Sequence, residues 1–155
     1  MASQTWCTRG YGFSYDKYES DVTTKSLENL LLKMKEDGLD LKESLDSYFE
    51  EHGIENPTLK DYETACDEGI GRCCMGGCCQ VIAEAISHRT GLTVECEWDE
   101  GSGYYCLLLP DFTWQIGDNY PRLTRNEVDD IFNEYTKILF GHEVNLQFHD
   151  TSYFG

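Results

Sequence analysis

The chain has 155 residues, 40% of them hydrophobic and 13% aromatic, and 29 Asp+Glu against 12 Lys+Arg give a net charge of −17. That length closes one hydrophobic core, so a single domain is expected over residues 1–155, and the apolar fraction is too high for intrinsic disorder. The charge repels phosphate backbones and anionic lipid surfaces, which argues against direct nucleic-acid or membrane binding and favours basic proteins or cations as partners.

In chain order, Thr5 to Phe13 (TWCTRGYGF) is aromatic and β-favouring and precedes the polar run Ser14 to Asp21. It predicts an opening strand, with Gly10 and Gly12 marking a bulge or a close backbone approach. Leu27, Leu30, Leu31 and Met34 fall at helical spacing between Thr24 and Asp37, with Gly38 placed to end the helix. Leu41, Leu45, Tyr48 and Phe49 repeat the pattern from Asp40 to Gly53, before Pro57. A short third helix over Thr58 to Asp67 takes Thr58 as its cap and turns Leu59, Tyr62 and Ala65 inward.

The segment Gly71 to His88 keeps helical periodicity through positions 74, 78, 82 and 85 although its apolar residues are mainly cysteines. It predicts one helix closed by Gly91, with Gly76 and Gly77 as the site of a kink or a close contact. The period then changes to two. Leu92, Val94, Cys96 and Trp98 alternate with Thr93, Glu95, Glu97 and Asp99, and after the turn Glu100–Gly103 a second strand over Tyr104 to Leu109 completes a hairpin. Thr124 and Glu127 form a capping box for a helix through Val128, Ile131, Phe132, Tyr135 and Leu139 to Gly141. Val144, Leu146 and Phe148 alternate with polar residues in a closing strand. The order is an α+β fold: an about four-stranded, mainly antiparallel sheet with about five helices packed on one face.

The charge is unevenly spread. Residues 1–60 carry 12 acids and 7 bases, whereas residues 61–155 carry 17 acids and 5 bases. If the apolar faces of the strands meet the helices, the other face carries Glu95, Glu97, Asp99 and Glu143, with Glu100 at the turn. That acidic wall is the candidate partner-binding surface.

Among candidate chemistries, Cys66, Cys73, Cys74, Cys78 and Cys79 offer enough thiols for a zinc site, but the spacing lacks two C-x2-C pairs across a loop. The alternatives are buried thiols that continue an apolar stripe, a zinc site, or redox chemistry. Cys7, Cys96 and Cys106 are expected to be structural. His52, His88 and His142 sit where helix C-termini are expected and favour the helix dipole, and His149 has no paired ligand. The acids from Asp111 to Asp118 with Asp129 and Asp130 lack calcium-loop order. No phosphate loop, nucleophile elbow or complete dinucleotide fingerprint is present, and no catalytic residue is nominated. The first residues, MASQTWC, have neither a charged nor an apolar leader pattern, and no run approaches the ~20 apolar residues of a membrane span. A cytoplasmic location with reduced thiols is the expectation.

Taken together, the opening TWCTRGYGFSYD, the leucine-rich helix pair, the central apolar helix and the closing VNLQFHD resemble small acidic proteins of unknown function encoded by phages and prophages of Firmicutes. The resemblance covers most of the chain and carries over no catalytic residue. It implies a protein made in a bacterial cell by a mobile element, of a kind in which inhibitors of host defence enzymes, CRISPR effectors among them, are frequent. Such inhibitors place carboxylates where a nuclease takes phosphates. The expected partner is therefore a basic host protein of the nuclease-effector type, bound without cofactor. The alternative is a cysteine-rich zinc-binding structural or redox protein.

Overall fold

The computed structural model describes residues 5–68, 77–109 and 123–154, and the backbone alone for Thr5, Trp6 and Phe154. Strand β1 (Thr5–Ser14) leads into a one-turn helix α1 (Tyr15–Tyr18) and a 3-10 turn (Glu19–Asp21). Helices α2 (Thr24–Glu36), α3 (Leu41–Glu51) and α4 (Leu59–Asp67) follow, then α5 (Cys78–Thr90), the hairpin β2 (Val94–Asp99) and β3 (Gly103–Leu108), helix α6 (Arg125–Phe140) and β4 (Gln147–Phe154).

Helices α2, α3, α4 and α6 start where short polar side chains satisfy their free amides. Thr23 and Ser26 exchange both bonds of a capping box, as do Thr58 and Asp61, and Asp40 accepts from the Glu43 amide. At α6 only half of the expected box forms: Thr124 accepts from the Glu127 amide at 3.2 Å. The inward stripes are those read from spacing, Leu27, Leu30, Leu31 and Met34 on α2 and Val128, Phe132, Tyr135 and Leu139 on α6.

Two expectations are corrected, and one element was not expected: Tyr15, at the start of the polar run after β1, turns inward and is buried, which folds the run into α1. The cysteine-rich helix does not run unbroken from Gly71: its described part begins at Cys78, because Gly77 stands at φ +50, a conformation an interior helical residue does not take. The closing strand is displaced toward the C-terminus. Val144 to Leu146 pack as a connection, and β4 covers 147–154, so Phe148 is 60% exposed rather than inward-facing.

All strand pairs are antiparallel, in the order β2-β3-β1-β4. The registers put Tyr11, Phe13, Cys106, Cys96 and Val94 on one face. There Phe13 meets Phe132 and Phe140 edge-on at 6.2 and 5.8 Å, and the Tyr11 hydroxyl donates to Asp129 at 2.6 Å, so this face receives α6. The opposite face carries Glu95, Leu107, Glu97, Tyr105, Gly12, Gly10, His149 and Thr151.

The sheet is strongly coiled. A side chain at Gly12 would lie 1.9 Å from the Cys106 carbonyl oxygen, and one at Gly10 would lie 2.7 Å from Leu107 Cβ, so two glycines permit the curl that buries Leu107 on the helix-free side. The curl is tight enough for the outer strands to touch. The Glu100 amide donates to the Ser152 carbonyl and the Ser152 amide to Asp99 Oδ1, both at 2.9 Å. No described helix is long and apolar enough to cross a membrane.

Candidate functional site

The hairpin brings part of the expected acidic wall together and assigns the rest to other work. Glu95 and Glu97 share the helix-free face two residues apart on β2, Glu95 exposed and Glu97 half-buried. Burial, then the Glu95 carboxylate beside it, raises Glu97 above the ordinary carboxylate range. The pair therefore carries repulsion that a cation would relieve.

Asp99 behaves oppositely. Its Oδ1 accepts the Ser152 amide at 2.9 Å and its Oδ2 the Gly101 amide at 3.2 Å, and the Ser152 bond outweighs burial to hold Asp99 below its usual value. Asp99 is a clasp between the hairpin and β4. Glu100 is exposed on the turn, whereas Glu143 lies between α6 and β4, outside the sheet, ion-paired to Lys137 at 3.1 Å. Glu95 and Glu97 thus form one pair on the strand, with Glu100 beyond them on the turn and Asp99 tied into the fold, and Glu143 does not join them.

Two hollows flank β2. At the hairpin end a recess of about 300 Å³ is walled by Asp16 and Glu19 from α1, Glu63 and Asp67 from α4, and the Trp98–Tyr104 pair, whose rings meet at 4.7 Å. Burial, then Asp16 and Glu63, raises the Glu19 carboxyl. No cation forms an ion pair with these four carboxylates among the described residues. Sequence reasoning missed the recess, although Asp16 with Glu19 and Glu63 with Asp67 stand at i, i+3 and i, i+4, the spacings that align side chains on one helical face.

At the other end of β2 a groove of about 800 Å³ runs between the start of α3, the outer stripe of α5 and the first residues of β2. Leu39, Leu92 and Val94 supply apolar surface there and Asp40, Glu84 and Glu95 acid. Carboxylates therefore border β2 from one end to the other.

Five of the six described cysteines belong to the interior or its edge; the sixth, Cys7, expected to be structural like Cys96 and Cys106, is exposed on β1. Cys66, Cys78, Cys79 and Cys106 are buried, and Cys96 is partly so. Cys78 hydrogen-bonds Tyr15, and Cys79 hydrogen-bonds Cys96 with both thiols free, placing the α5 thiols in two different packing groups. Burial pushes the Cys78 thiol up to about 12 and Cys79 and Cys106 well up, which keeps them protonated at neutral pH and poor as nucleophiles. Cys73 and Cys74, and the acids Asp111 and Asp118, lie outside the described residues. Among the described residues no three His, Cys, Asp or Glu side chains are grouped to hold a metal ion.

The histidines are dispersed. His52 Nδ1 donates to the Tyr48 carbonyl at 2.8 Å and stacks on that ring, and His88 Nε2 donates to the Asp37 carbonyl at 2.9 Å, tying α5 to the end of α2. His142 meets Asp21 at 2.8 Å. His149 lies against Tyr105 on the helix-free face, with burial lowering its basicity.

Comparison of the chain with protein-family models, with curated proteins and with solved structures finds no match in any of the three.

Proposed function

We propose that this chain is a binding protein that inhibits a basic, nucleic-acid-handling host protein stoichiometrically, without catalysis, in the manner of phage anti-defence proteins that include inhibitors of CRISPR effectors. The observation that carries the reading is the border of carboxylates along β2: Glu95, Glu97 and Glu100 on the strand and turn, and beside them the four recess acids; among the described residues no cation forms an ion pair with Asp16, Glu19, Glu63 or Asp67.

Like charges held close together store repulsion that a positive surface releases on binding, and a net charge of −17 steers such a surface inward from a distance. Rows of carboxylates imitate the charge of a phosphate backbone, so the natural competitor for the same partner surface is nucleic acid. The partner class follows from that imitation: a protein whose working surface is a cationic groove, as in a nuclease effector. The setting is the interior of a bacterial host, where thiols remain reduced.

Affinity capture from a bacterial lysate, repeated across salt concentrations, tests the reading. The expected outcome is recovery of a basic nucleic-acid-handling protein that added DNA displaces. Recovery that DNA and salt leave unchanged would count against mimicry. Metal analysis after purification under reducing conditions separates this reading from a zinc protein, because stoichiometric zinc would favour the thiols as the working groups.

A further inference from the structure

β2 is an outer strand, and its hydrogen-bonding parity can be worked out. The Leu109 amide donates to the Thr93 carbonyl at 2.9 Å, so Thr93 and Leu109 form a hydrogen-bonded pair. The antiparallel register then makes Glu95, Glu97 and Asp99 the residues bonded to β3 and turns the backbone groups of Val94, Cys96 and Trp98 outward. Neighbouring bonds agree: the Val94 amide points to Ser87 Oγ at 3.5 Å and the Glu100 amide to Ser152 O at 2.9 Å, both on the outer side. The outer edge is thus covered at its two ends. Between them the outward amides of Cys96 and Trp98 take no partner among the described residues.

We infer that this window is a strand-addition site for an extended basic segment of the partner, with alternate Lys or Arg residues set opposite Glu95 and Glu97. The inference deepens the binding reading above and rests on it. An added strand satisfies the open amides through main-chain bonds, and residues directly opposite lie close enough for opposite charges to attract. The period is fixed by β2 itself. Glu95 and Glu97 face the helix-free side, so the basic residues recur at i and i+2, and the residue between them faces the side on which Cys96 lies. Beyond the window the groove continues the same chemistry, with Glu84 and Asp40 along it and Leu39 and Leu92 as apolar surface. A second copy of this chain is a poor occupant, because edge-to-edge pairing would set Glu95 and Glu97 against their own kind.

The probe is a capped seven-residue peptide alternating valine and lysine, titrated into the whole, isotope-labelled protein and followed by amide NMR. The expected result is that the Cys96 and Trp98 amides shift and exchange at least about tenfold more slowly. Glu95→Gln with Glu97→Gln should weaken binding about fivefold, the effect of two cross-strand charge pairs. Glu95→Lys with Glu97→Lys should transfer preference to a peptide alternating valine and glutamate, a gain that a misfolded variant would not show. Equal binding of a peptide of the same composition with its lysines grouped would overturn the inference, as would shifts confined to other residues or no binding at millimolar peptide. If the lysine-substituted variant still captures a basic protein from lysate as well as the parent does, the strand-addition site is wrong and the binding reading stands. If neither captures one, the binding reading itself fails.

Discussion

At the scale of single residues, the carboxylates divide by sign of shift, and each sign carries its own pH dependence. Glu97 is raised by burial and then by Glu95, so its ionisation opposes folding; that penalty is fully present above its folded value and gone below the value of an unfolded glutamate. Glu97→Gln should therefore raise the midpoint of thermal unfolding at pH 7, with the gain shrinking as pH falls through the folded value of Glu97 and gone below about pH 4. Asp99 is lowered chiefly by the Ser152 amide, so its contribution is present above the unfolded aspartate value and lost as pH falls through the folded one. Asp99→Ala should destabilise by about 1–2 kcal/mol at pH 7 and speed amide exchange at Ser152, an effect that disappears in acid. A midpoint lowered by Glu97→Gln would show that its carboxylate is already compensated. Gly12 tests the curl of the sheet: Gly12→Ala places a methyl group against the Cys106 carbonyl and should cost at least about 2–3 kcal/mol in chemical denaturation.

At the scale of elements, periodicity carried most of the fold. The leucine stripes of α2 and α3, the threonine caps and the alternation at Val94–Asp99 are local signals, and each element formed within a few residues of its expected bounds. The exceptions have tertiary causes. α1 exists because Tyr15 finds a buried place beside Cys78, which nothing in the local run of polar residues announces. β4 begins later than alternation suggested because Val144 is claimed by the core and the ladder to β1 starts only at Gln147. Pairing thus overrode pattern. The Gly10 and Gly12 signal was readable, and it marked a close approach as expected. The acidic wall was only partly legible, since alternation gave Glu95 and Glu97 a common face but not the Asp99 clasp or the ion pair of Glu143. Of the recess only the spacing within each acidic pair was legible, and not the meeting of the pairs, because it joins α1, α4 and the hairpin, separated by long stretches of sequence. The clasp also makes an element-scale expectation: with Asp99→Ala, protection should fall at the β2–β4 contact while β1–β3 keeps its own.

At the scale of the whole molecule, a net charge of −17 on 155 residues opposes compaction. Raising salt from about 0.01 M to 1 M shortens the screening length from about 30 to 3 Å, so the unfolding midpoint should rise with salt, whereas a chain whose charges were fully paired would show the opposite or nothing. The same screening should weaken the proposed complex, so salt stabilises the free protein and dissociates the bound one. That opposed response separates a charge-driven binder from a protein whose acidity serves solubility alone. The most direct measurement is capture from bacterial lysate by the immobilised chain at about 0.05 M and about 1 M salt, with the retained proteins identified by mass spectrometry. The expected result is a basic nucleic-acid-handling protein held at low salt, released at high salt, and lost when Glu95 and Glu97 become lysine. Retention of no basic protein at either salt would contradict the proposed function.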